Sequence, residues 1–154
     1  MRLIVIVVGR PRDSALAAAA KEYESRAGRY WPLTVVEVKE ESARGRDSQF
    51  VKDREAERIL AQVPPAARLV ACLERGKGLT SASFSEWLRD ARDRDQDTAI
   101  AIGGAFGLGE AITKAAAMSL SLAPWTLPHE LARVVLAEQI YRAGTIVRGE
   151  PYHK

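Results

Sequence analysis

Cysteine occurs once in the 154 residues, at position 72, so no disulfide can close within the chain; a reducing compartment, the cytoplasm, is the expected setting. Long apolar runs are missing too. The opening stretch from Leu3 to Val8 is six residues flanked by Arg2 and Gly9, against the roughly 20 that a membrane helix needs, and it is also too short for a signal-peptide core. Histidine is confined to positions 129 and 153, which with one thiol give no zinc-ligand spacing, so no metal is expected. No Lys-Ser/Thr pair follows the glycine-rich segment and no G-x-G-x-x-G follows the first apolar run, which disfavours ATP and NAD. There is no G-x-S-x-G elbow, no second cysteine and no acidic pair after the first run, so hydrolase, thiol-redox and phosphoryl-receiver chemistry fall away.

What is present fits one domain over residues 1–154, with 47% hydrophobic residues to build a core. The net charge of +3 is compatible with a polyanionic partner without requiring one. The excess sits in residues 1–30, where six basic side chains, Arg10 among them, face three acidic ones. That end is suited to phosphates.

Runs with strand character at Leu3–Val8, Leu33–Val38, Arg68–Leu73, Thr98–Ile102 and Met118–Leu122 alternate with helical patterns. The helical stretches are Ser14–Arg26, Ser48–Gln62, Ser83–Arg94, Glu110–Ala117 and His129 to about Ile146. Three of the strand runs are nearly continuous Val, Ile, Leu and Ala, as in strands covered on both faces. The fold class is therefore α/β: a mostly parallel five-stranded sheet with helices on both faces. The segment 40–47 is the most loop-like interior stretch, and residues beyond Pro151 cannot continue the last helix.

Ile102–Gly109 (IGGAFGLG) carries four glycines between the fourth strand and a helix, where open parallel sheets bind ligands. A tight turn explains those glycines equally well. Residues 121–142 combine a strand end, two prolines and a helix start; Pro124, Trp125 and Leu127 suit an adenine-sized slot, although a tryptophan there reads more readily as core. His129 with Arg133, and Glu138 with Arg142, each lie one helical turn apart, which is also the spacing of a plain surface ion pair. Tyr152 and His153 have no evident core to serve and suit unstacked bases, with disorder as the equal alternative.

Taken together, Ile102-Gly103-Gly104, the run Leu127-Pro128-His129 through Ala137-Glu138-Gln139-Ile140-Tyr141-Arg142-Ala143, and Pro151-Tyr152-His153 closely resemble the RlmH family of ribosomal RNA methyltransferases. Glu74-Arg75-Gly76-Lys77 looks like part of that family's Leu-Asp-x-x-Gly-Lys segment. The chain departs from the pattern at Cys72-Leu73 (usually Leu-Asp), Ala105-Phe106 (commonly Pro-Glu) and Lys154 (frequently arginine). The resemblance implies a SPOUT-class fold with a C-terminal trefoil knot and a homodimer. It also implies S-adenosyl-L-methionine as methyl donor, and as acceptor N3 of a pseudouridine in large-subunit (23S) ribosomal RNA on the assembled ribosome.

By matching motif, the resemblance assigns the cofactor wall to Cys72, Gly103, Gly104 and the stretch Leu122, Ala123, Pro124, Trp125, Thr126 and Leu127. Arg142, Tyr152, His153 and His129 become the expected catalytic group, and Arg10, Arg133, Arg142, Tyr152, His153 and Lys154 the expected RNA contacts. Two other functions compete: a non-catalytic ribosome- or RNA-binding module, and a related SPOUT methyltransferase acting on transfer RNA.

Overall fold

The computed structural model describes residues 1–154 and runs β1 (Leu3–Val8), α1 (Ser14–Ala27), β2 (Leu33–Val38), α2 (Ser48–Leu60), β3 (Arg68–Gly78), α3 (Ser81–Asp93), β4 (Thr98–Ile102), α4 (Glu110–Ala115), β5 (Met118–Ser121), α5 (His129–Val147). The strands form one sheet in the order β2-β1-β4-β3-β5, and every pairing is parallel. Parallel neighbours need crossover connections, and the alternating helices supply them.

Both faces of the sheet are covered, and the two-residue period of a strand sorts the side chains. Leu3, Val5 and Val7 of β1, with Val70, Ile100 and Ile102, point to the face where Ala27, Phe84, Leu88, Leu136 and Ile140 wait on α1, α3 and α5. Ile4, Ile6 and Val8, with Leu69, Ala71, Ala99 and Ala101, point to Ala56 and Ile59 of α2 and Ile112 of α4. All six residues of β1 are buried, each full burial of such a side chain being worth roughly 1.5–3 kcal/mol.

The helix starts follow local chemistry. Asp13, Asp47 and Thr80 each accept from a first-turn amide, capping α1, α2 and α3. Thr80 moves the start of α3 two residues ahead of the expected Ser83. β5 stops at Ser121, one residue short of the expected Leu122. The larger departure is β3, expected to end at Leu73 and found to run to Gly78. Its pairing with β5 is broken: Cys72 and Lys77 both stand opposite Leu120, so the chain between them is thrown out of the ladder. Gly76 makes this excursion possible, since a Cβ there would lie 2.5 Å from the Leu120 carbonyl carbon.

α5 crosses the sheet on the face of α1 and α3 and is gripped by side chains that bond its carbonyls. The Trp31 indole N–H donates to Ile140 O at 2.9 Å, and the Ser85 hydroxyl donates to Ala143 O at 3.1 Å. Gly144 packs directly under the Tyr30 ring, where no side chain would fit.

Candidate active site

The point where β3 leaves the ladder, at Cys72–Glu74, the carboxyl end of β4 and the exit from β5 converge on a cavity of about 750 Å³. That is where an open α/β sheet places a ligand. Of the residues expected to hold a cofactor, Cys72, Gly103, Gly104, Leu122 and Ala123 line it, as do Trp125, Thr126 and Leu127. Pro124 does not line it. His129, at the first turn of α5, completes the wall.

The glycine loop is tightly folded. Gly107 N–H donates to Gly104 O at 3.0 Å and Gly107 has φ +81°, a left-handed conformation that favours glycine. A Cβ on Gly103 would fall 2.5 Å from the Gly107 carbonyl carbon. Behind the loop lies Glu55 of α2, only 3% exposed. One of its oxygens accepts the Glu41 amide at 3.1 Å and the other has no partner. Burial raises its pKa above the ordinary carboxylate value. Gly104 is open on that side because a Cβ would come within 2.9 Å of the unpartnered oxygen. Burial also pushes the Cys72 thiol up to about 12, so it lines the cavity as a neutral group.

The remaining expected catalytic residues assemble elsewhere. Arg142 contacts the Glu138 carboxylate through Nε at 3.0 Å and Nη2 at 2.5 Å, and the Tyr152 hydroxyl donates to the same oxygen at 3.0 Å. His153 Nδ1 lies 3.4 Å from Arg142 Nη1, and the guanidinium sits 4.7 Å from the centre of the Tyr152 ring. Tyr152 also packs on Tyr141, their centroids 4.6 Å apart, so the last turn of chain is docked on α5. Hydrogen bonding to Glu138 raises the Arg142 pKa against the opposing effect of burial. Burial, then bonds to Tyr23 and Glu138, push the Tyr152 phenol up as well, so it stays protonated. Residues alone read Glu138–Arg142 as an ordinary ion pair; that it also gathers Tyr152 and His153 depends on how the chain end folds back on α5.

His129 stands apart from this cluster. It lies thirteen positions along continuous helix from Arg142, roughly 20 Å at about 1.5 Å per residue.

Among the expected RNA contacts, Arg10 is 90% exposed and reaches Glu37 only at 3.5 Å, and Lys154 is exposed. Arg133 is a correction. It is 9% exposed and turned inward, with Nε 2.7 Å and Nη2 3.2 Å from the Glu24 carboxylate and Nη1 2.7 Å from Glu37. A guanidinium committed to two carboxylates has no fork left for a phosphate. Burial lowers its pKa, but the bonds to Glu24 and Glu37 outweigh that and leave it raised. Trp125 corrects the reading of its residue type, since it is exposed and belongs to no core. Two residues with no expected site role also line the cavity: Glu74, whose carboxylate accepts from Thr126 Oγ1 at 2.7 Å, and Phe106 in the glycine loop.

Residues 1–153 match the family described as predicted SPOUT methyltransferase. The chain is 54% identical over 154 residues to the ribosomal RNA large subunit methyltransferase H of Gemmatimonas aurantiaca, covering all of both chains. It is 46% identical, again over the whole of both, to the protein of that name from an Anaeromyxobacter species. Among solved structures it resembles a probable methylase family protein from Haemophilus influenzae Rd KW20, with a TM-score of 0.56 and 13% identity over 99% of this chain and 70% of that one. It likewise resembles TrmJ from Z. mobilis ZM4, with a TM-score of 0.53 and 15% identity over 100% of this chain and 73% of that one. These two share the fold. Glycine loop, sheet-end cavity and full-length identity converge, and the chain belongs to the SPOUT methyltransferase family, among the relatives named ribosomal RNA large subunit methyltransferase H.

Proposed function

We propose that this protein methylates N3 of a pseudouridine in large-subunit (23S) ribosomal RNA, using S-adenosyl-L-methionine and acting as a cytoplasmic homodimer on the assembled ribosome. The observation that carries the reading is the cavity at the strand ends, whose walls are those the resemblance assigns to the cofactor. Its inner end is apolar and made of buried residues such as Ile102, with Gly103 and Gly104 presenting bare backbone, which suits an adenosyl group. When bound, the cofactor supplies an electrophilic methyl group on a sulfonium. The protein's own residues supply position and charge.

N3 of a uracil-type ring carries a proton and is a poor nucleophile until that proton leaves. Arg142, held cationic by Glu138, stabilises the developing ring anion. Tyr152, kept protonated with its hydroxyl donating to Glu138, orients the base through its ring and its free oxygen lone pair, and the His153 imidazole accepts the N3 proton. His129 and Leu127 shape the cavity floor, while Arg10 and Lys154 hold phosphates. The separation of Arg142 from His129 along α5 supports a homodimer in which the cluster of one protomer serves the cavity of its partner. The C-terminal trefoil knot is part of this reading through the resemblance.

The test is methyl transfer from labelled S-adenosyl-L-methionine to three substrates side by side: ribosomes from cells lacking the protein, naked ribosomal RNA and transfer RNA. Label on a pseudouridine of the large-subunit RNA, greatest with ribosomes, is expected. Preference for transfer RNA refutes the acceptor, and cofactor-free RNA binding with no transfer to any substrate refutes the enzyme.

A further inference from the structure

Two large apolar side chains are left exposed by this protein, Phe106 at 47% and Trp125 at 75%, and both stand on the wall of the same cavity. Each is carried on a fastened turn. Phe106 sits at the tip of the loop closed by the Gly104–Gly107 bridge, whose backbone is folded closely on Gly103. Trp125 lies on a segment tied on both sides: the Ser121 hydroxyl donates to Ala123 O at 2.7 Å, and Thr126 bonds Glu74 on the β3 excursion. Neither ring takes part in the aromatic pairs or cation contacts of the molecule. Rigid backbone thus presents two unpartnered flat faces at the mouth of a binding cavity, while the buried inner wall remains for a resident cofactor.

We propose that Phe106 and Trp125 are stacking platforms for the acceptor nucleobase, gripping it as it leaves its RNA strand and enters the cavity. The proposal rests on the RNA-methylating function above and names the side chains that receive its substrate. Aromatic faces suit a base, which presents a π-face whatever its identity, and RNA is commonly read on splayed, unstacked bases. Arg75 and Lys77, exposed on the excursion that anchors Thr126 through Glu74, put positive charge near the same rim for the flanking phosphates.

The experiment uses the full chain with F106A, W125A, W125F and W125L, each checked by thermal melting. Cofactor affinity is read by calorimetry, and kcat and KM by methyl transfer to ribosomes. F106A and W125A are expected to raise KM for RNA about tenfold, the loss of one base–aromatic stack, and F106A, outside the wall assigned to the cofactor, to leave cofactor affinity within about twofold. W125F should restore the KM and W125L should not. Loss of cofactor affinity in W125A assigns the indole to the cofactor and overturns the proposal, as does equal activity of W125L and W125F. An active wild type indifferent to both alanine substitutions overturns the stacking role alone. A wild type that transfers no methyl to RNA overturns both this inference and the function beneath it.

Discussion

Arg133→Ala removes the one cation between Glu24 on α1 and Glu37 on β2. Three hydrogen bonds go with it, and the Glu24 carboxylate is left in a site with little access to water. Deleting one partner of a buried ion pair costs about 3–5 kcal/mol, because the remaining charge has lost its compensation. Glu37 is still about a third exposed, so the lower end applies. For a chain of 154 residues each kcal/mol moves the melting temperature by about 2–4 °C, so a loss of roughly 3 kcal/mol should lower it by about 6–12 °C. The triple variant R133M/E24Q/E37Q should recover most of that loss, since charges and cation leave together. Differential scanning calorimetry and urea titration measure both. In parallel, the salt dependence of ribosomal RNA binding by folded R133A should match wild type. An unchanged melting temperature, together with a salt slope reduced by about one, would refute the inward assignment and return Arg133 to the RNA surface.

Glu55 has a folded-state pKa raised by burial above its unfolded value of 4.5, so the folded protein holds this proton more tightly than the unfolded chain does. Its stabilising contribution is then complete below the unfolded pKa and lost as pH rises through the folded one. E55Q should therefore gain stability relative to wild type as pH rises above 4.5, and a urea-midpoint difference that shrinks with rising pH would overturn the assignment. Cys72, with its thiol pushed up to about 12, should resist iodoacetamide in the native protein near about pH 8 and react readily in urea, as followed by intact mass. Equal native and unfolded rates would show that the thiol is neither buried nor neutral.

Much of the sheet could be read directly from the residues. Leu3–Val8, Leu33–Val38 and Thr98–Ile102 coincide with their strands because each is a short apolar or alternating run bounded by charge or glycine. Glu74-Arg75-Gly76-Lys77 carries no strand signature, and its place beside β5 follows from Gly76 wedging against another strand's backbone. The cavity at the strand ends was legible since motif and topology both point there, whereas the inward turn of Arg133 depends on two carboxylates 96 and 109 residues away in sequence. Trp125 shows the limit of reading by residue type: large aromatics are usually buried, and only the fastened loop around this one holds it out.

The grip of Trp31 and Ser85 on the middle of α5 makes that helix a fixed spacer whose register cannot creep. One residue added between Thr145 and Arg148, beyond the grip, would leave the midsection in place and turn the terminal segment by about 100° around the axis. Variation in the direction of the terminal segment is therefore confined to the last turn and the residues after it, while the length from cavity to tip is set by the core.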